Sequence, residues 1–177
     1  MSQEQRPYFT CSPKIVYSRT WAAGALLFVA CTLFAAANVM SLDRMIQMNS
    51  EFSMNIVGDC EEFAKKNDKN LAIAVVDSGG HLLAFSRMDG VLPGVGEIAR
   101  WKATSAALYG MPTKQFQKLA EKDQFMFHLP NAAPVGGGEP VIINNGKVAG
   151  AVGVSGASAE FDAECAKAGI AAALSAD

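Results

Sequence analysis

Two histidines are the only imidazoles in the chain, His81 and His128. They stand 47 residues apart, so no local metal motif exists. Neutral imidazole can accept a proton or ligate a metal. His81 follows a double-glycine turn and also suits a hydrogen bond that closes a hairpin. His128 lies among Phe125, Met126, Phe127 and Leu129, a setting for an apolar ligand face or an ordinary half-buried side chain. Arg87 shares strand parity with His81, Leu83 and Phe85 and can take a carboxylate, or be held by Asp77 or Asp89. Arg100 and Lys102 are two apart and point in different directions, so at most one joins a pocket with the other cations. Glu97 is the best carboxylate for general acid–base work, and three residues before Arg100 it can also simply pair with it. Gly136-Gly137-Gly138 can present backbone N–H groups to an anion or make a tight turn into a strand. No Gly-Lys-Ser/Thr follows, so a nucleotide P-loop is excluded. Thr104, Ser105 and Tyr109 are further lining candidates.

The elements that hold these groups follow from periodicity and turn signals. Ser41 or Asp43 caps an apolar stripe from Met45 through Ala64, interrupted at Asn49 and Ser50 and ended at Asn67–Asn70. Leu71–Val76 and His81–Met88 read as a hairpin across Asp77-Ser-Gly-Gly80. Val91–Gly96 reads as a loop, and Glu97–Tyr109 as a helix with Ile98, Trp101, Ser105 and Leu108 at helical spacing. Ala103, Ala106 and Ala107 mark close helix–sheet packing. Lys114–Glu121 is a short helix. Val141–Ile143 and Val148–Val154 flank Asn144-Asn145-Gly146, the strongest short hairpin signal. Gly150 and Gly153 inside the last strand mark bulges or close approach by another group. Ser158 caps a C-terminal helix. Helix, hairpin, two helices, hairpin, helix predicts one α+β domain, an antiparallel sheet covered by helices.

The chain of 177 residues divides unevenly. Arg19, the apolar run from Trp21 and Ala35-Ala36-Ala37 are the parts of a secretory signal peptide, making residues 1–37 a leader and 38–177 the domain. That predicts a secreted or periplasmic protein without stable membrane insertion. A retained anchor, or a cytoplasmic protein translated from Met40, are the alternatives. Arg6, Lys14 and Arg19 against Glu4 fall in 1–37, so the remainder carries 12 basic and 16 acidic residues. A weakly acidic domain without a basic run excludes nucleic acid as a natural partner. Cys60 and Cys165 sit in helical patterns, allow at most one internal disulfide, and are expected as buried free thiols. Without a C-x-x-C, neither a dithiol redox motif nor a zinc knuckle is expected, and no metal site is assigned.

Ala74-Val-Val-Asp-Ser-Gly-Gly-His-Leu-Leu-Ala-Phe-Ser-Arg-Met-Asp-Gly90 resembles the signature hairpin of the GlcG/HbpS family, a haem-binding-protein-like group. Lys102–Thr113, Gly136–Pro140 and Val148–Gly156 are similar to its later segments, in order, over roughly residues 42–175. The resemblance implies a profilin-like α+β fold, a homo-oligomer, and haem or a related small anionic ligand. His81 and His128 would then be axial ligand candidates, and Arg87, Arg100 and Gly136–Gly138 would hold the anionic groups. Two other readings stay open. One is an enzyme on a small carboxylated or carbonyl metabolite, with Arg87 or Arg100 on the carboxylate and Glu97 or His81 moving the proton. The other is an accessory partner of a catabolic oxidase. The chain departs from the family's usual polar residues at Gly94–Trp101, where specificity is expected to be set.

Overall fold

Asn49 starts the first described helix. Its Oδ1 accepts the Phe52 N–H at 2.8 Å and caps α1, Ser50–Lys66. The computed structural model describes residues 48–143 and 146–176. The leader 1–37, the expected cap at Ser41 or Asp43, and the Asn144–Asn145 turn lie outside the described residues. Helix α1 buries Phe52, Ile56, Val57, Cys60 and Ala64, the expected stripe.

Strands β1, Ala72–Asp77, and β2, Leu82–Arg87, form the first hairpin. Helix α2 spans Pro93–Tyr109. It begins four residues before the expected Glu97 because Pro93 occupies the first turn, where a missing N–H costs nothing. Gly110, at φ 65°, ends it in the left-handed conformation. Helix α3, Thr113–Ala120, and a 3₁₀ turn, Gln124–His128, lead to β3, Gly138–Ile143, and β4, Lys147–Ser155. Helix α4, Ala159–Ala176, closes the chain, with Ser158 Oγ accepting from Phe161 N at 3.3 Å.

The fold is α+β, with one antiparallel sheet in the order β2-β1-β4-β3. Its two faces differ in chemistry. Ile73, Val75, Val152 and Val154 pack with Phe52, Ile56 and Val57 of α1 and with Cys165 and Ala166 of α4. Ala72, Ala74, Val76 and Ala151 pack with Ala99, Ala103, Ala106 and Ala107 of α2. Gly153 explains the small side chains on that second face. A Cβ at Gly153 would fall on the Ala99 carbonyl and the Ala103 backbone nitrogen, so the helix rests directly on the strand.

One expectation is corrected. Cys60 and Cys165 are joined in a disulfide, with Cα atoms 5.1 Å apart, and are not free thiols. Helices α1 and α4 pack side by side on one face of the sheet, which brings together residues 105 apart in sequence. No described helix is long and apolar enough to cross a membrane.

Candidate functional site

Glu97, Arg100, Trp101 and Thr104 stand at helical spacing and form one stripe along α2. Val76 and Leu82 of the first hairpin face that stripe, with Gly80 from the hairpin turn and Asn131 from the loop after the 3₁₀ turn. Together they line a cavity of about 220 Å³.

Local chemistry holds each wall in place. Asp77 organises the turn. Its Oδ1 accepts from Gly79 N at 2.8 Å and from His81 N at 2.9 Å. Those bonds, led by the one from the His81 backbone, hold the Asp77 carboxyl below its ordinary pKa. An ionised carboxylate only accepts, so His81 Nδ1–H donates to Asp77 Oδ2 at 3.2 Å and leaves Nε2 for a proton or metal. Gly80 has φ 81°, and a Cβ there would meet Thr104 Cγ2 at 3.0 Å. Glycine therefore lets the turn lie against the helix, where Thr104 Oγ1 donates to the Gly80 carbonyl at 3.4 Å.

The far wall is tied to α2 at two points. Tyr109 Oη donates to the Pro130 carbonyl at 2.5 Å, and Ala133 N donates to Ser105 Oγ at 2.9 Å. Between these anchors Asn131 takes φ 59°, a conformation uncommon for a residue with a Cβ. Both its apolar and its polar lining reach solvent: Leu82 is 45% and Trp101 42% exposed, and Glu97 and Arg100 are exposed as well.

Arg100 Nη1 donates to both Glu97 carboxylate oxygens, at 3.2 and 3.4 Å. Both side chains are solvent-exposed, so the pair is worth about 0–1 kcal/mol and an incoming anion can replace Glu97 at low cost.

The structure brings Glu97 and Arg100 into this cavity; His81 follows the lining residue Gly80, but its exposed ring is turned to Asp77 and does not line the cavity. The other expected residues lie elsewhere. Arg87 donates to the Val91 carbonyl, its partner in place of Asp77 or Asp89. His128 is exposed at the end of the 3₁₀ turn and does not line the cavity. Gly136, Gly137 and Gly138 are buried away from it. The Gly138 N–H donates to Thr113 Oγ1 at 2.8 Å, and the Gly137 carbonyl accepts from Val154 N at 2.8 Å. A Cβ at Gly137 would lie 2.7 Å from Lys102 Nζ. That ammonium is buried, donating to Asp162 Oδ2 and the Val154 carbonyl, each at 2.9 Å. Lys102 and Arg100 thus face apart, as their spacing requires.

Sequence reasoning passed over Trp101, Leu82 and Asn131 as site residues. Trp101 carried a usable signal, four residues after Glu97 on a helix. Among the described residues no group of three metal-ligating side chains occurs.

Known proteins agree with this architecture. Protein GlcG of Escherichia coli strain K12 is 38% identical over 109 residues, covering 61% of this chain and 81% of that protein. The crystal structure of an HbpS double mutant from Streptomyces reticuli is 28% identical with a TM-score of 0.67, covering 72% of this chain and 88% of that one. Protein ORFY of Klebsiella pneumoniae is 26% identical with a TM-score of 0.63, covering 74% and 94%. The family model described as haem degrading protein HbpS-like matches residues 48–171, and the chain belongs to that HbpS-like family.

Proposed function

We propose that the protein binds haem or a related small anionic ligand, taking the ligand's carboxylate-bearing edge into the cavity between α2 and the first hairpin. The convergence of Arg100, Trp101 and Leu82 on one opening carries this reading. Arg100 is a permanent cation that can grip a carboxylate through two parallel N–H bonds. Trp101 and Leu82 offer aromatic and aliphatic surface to a flat apolar body. Family membership supports haem as that ligand.

Size limits the mode of binding. The cavity, at about 220 Å³, falls below the roughly 300–1,000 Å³ of pockets that enclose a drug-sized molecule. It fits the edge of a porphyrin, not the whole macrocycle, and a second copy of the chain over the opening would supply the missing cover. Bound haem would supply a ligand-binding, redox-active iron, for which His81 Nε2, not engaged by Asp77, would be the imidazole donor.

The same small volume favours a second reading, acid–base chemistry on a small carboxylated or carbonyl metabolite, with Arg100 on the carboxylate and Glu97 on the proton.

Titration of the purified protein with haemin tests the first reading. A saturable Soret shift is expected, weakened about tenfold or more by Arg100→Ala or Trp101→Ala and tightened by Glu97→Gln, which frees Arg100. Absence of a shift, or a shift that ignores all three substitutions, overturns it. Thermal stabilisation by two- to four-carbon hydroxy or oxo acids, lost in Arg100→Ala, moves the assignment to the metabolite.

A further inference from the structure

We infer that Cys60 and Cys165 are cross-linked during folding, after export to an oxidising compartment, and that the closed domain then shields the bond from reductants. This stands independently of the ligand.

Residues 38–177 contain two cysteines, and the disulfide uses both. It joins the first described helix to the last, closing a loop that holds the whole sheet, α2 and α3. Disulfides persist where the surroundings oxidise thiols and are rare in the cytosol, where thiols are kept reduced. A second and separate feature points the same way. Arg19, the uncharged run from Trp21 and Ala35-Ala36-Ala37 have the order of a secretory leader.

Burial sets the timing. Cys60 and Cys165 are both 0% exposed. Thiol–disulfide exchange needs a thiolate to reach a sulfur through a mixed disulfide. No oxidant reaches either sulfur once α1 and α4 have closed on the sheet, so the bond forms before closure. Two protein thiols give up two protons and two electrons to an external disulfide of a dithiol-oxidant protein. One S–S bond forms in this chain and one breaks in the oxidant, which leaves as a dithiol. The same burial then excludes reductants.

The full chain, expressed with its own leader in a secreting host, provides the test. Exported protein is acid-quenched, alkylated in denaturant without reductant and digested with trypsin. Peptide Met45–Lys65 is expected joined to Val148–Lys167. Recovery of alkylated Cys60 and Cys165 from exported protein overturns the inference. With secretion inhibited, the retained full chain is expected to yield both cysteines alkylated. A cross-linked retained chain overturns the compartment requirement. Dithiothreitol is expected to open the bond at least tenfold more slowly in native protein than in denaturant, and equal rates overturn the shielding. The Cys60→Ala/Cys165→Ala variant, where it folds, is expected to show a thermal midpoint that dithiothreitol does not move.

Discussion

Asp77 accepts hydrogen bonds from the backbone of Gly79 and His81 and from the His81 ring, and so fixes the turn that forms one side of the cavity. These donors favour its charged form and lower its pKa in the folded protein. The sign of the linkage follows. The unfolded chain, with a carboxyl near pKa ~3.9, binds more protons than the folded one in this window. Stability from Asp77 is therefore complete above about pH 5 and is lost as pH falls through the lower folded pKa. Because the side chain is partly solvent-exposed, its contribution is screened and stays under about 1 kcal/mol. Asp77→Asn is expected to flatten the acid limb of urea midpoints measured from pH 5 to 2, and an unchanged slope would contradict the turn's dependence on that charge. Residues of this kind were partly legible in the sequence. Glu97 and Arg100 are a charged pair at i, i+3, and their spacing predicted both the pairing and a shared face. Asn131 was not legible. Its left-handed backbone is imposed by anchors from Tyr109 and Ser105, each more than twenty residues away.

At the scale of elements, α2 shows why hydrophobic periodicity can mark the wrong face. Ile98, Trp101 and Leu108 follow helical spacing, yet each is at least 40% exposed. The buried face is Ala99, Ala103, Ala106 and Ala107. Close approach selects it, because Gly153 of β4 leaves no gap for larger side chains. The strand glycine and the alanine cluster were both visible in the sequence, and the order of elements followed from turn and cap residues. The order of the four strands was hidden, since pairing of β1 with β4 depends on contacts more than seventy residues apart. Adding one methyl at Gly153 meets helix backbone that cannot rotate away. Gly153→Ala is expected to cost about 1–3 kcal/mol or more by overpacking, read as a lower urea midpoint. Equal stability would mean that α2 can lift from the sheet. The cavity stripe of Glu97, Arg100, Trp101 and Thr104 rides on that contact, so ligand affinity is expected to fall with it.

At the scale of the whole molecule, two buried links join elements far apart in sequence, and neither was legible from local pattern. The disulfide closes a loop of about a hundred residues, a constraint on the unfolded chain of roughly 4–5 kcal/mol in the chain-entropy account. The second link is the buried pair of Lys102 and Asp162. Lys102 comes from α2 on one face of the sheet, and Asp162 from α4 on the other. They meet beside the end of β4, where Lys102 also donates to the Val154 carbonyl and Asp162 accepts from Ala157 N at 3.1 Å. The Gly136–Gly138 loop wraps this contact, which accounts for its glycines: a side chain at Gly137 would strike Lys102 and Asp162. Each charge is satisfied, but only by the other and by fixed backbone. Removing one partner strands the second in a dry site, whereas removing both removes the desolvation cost as well. Lys102→Met is therefore expected to lose about 3–5 kcal/mol in chemical denaturation, and the double variant Lys102→Met/Asp162→Leu to recover most of that loss. A double variant no more stable than the single one would show that the pair itself, and not the avoidance of an unpaired charge, holds the layers together. Lys102 does not line the cavity, so ligand affinity in the folded double variant is expected to match wild type.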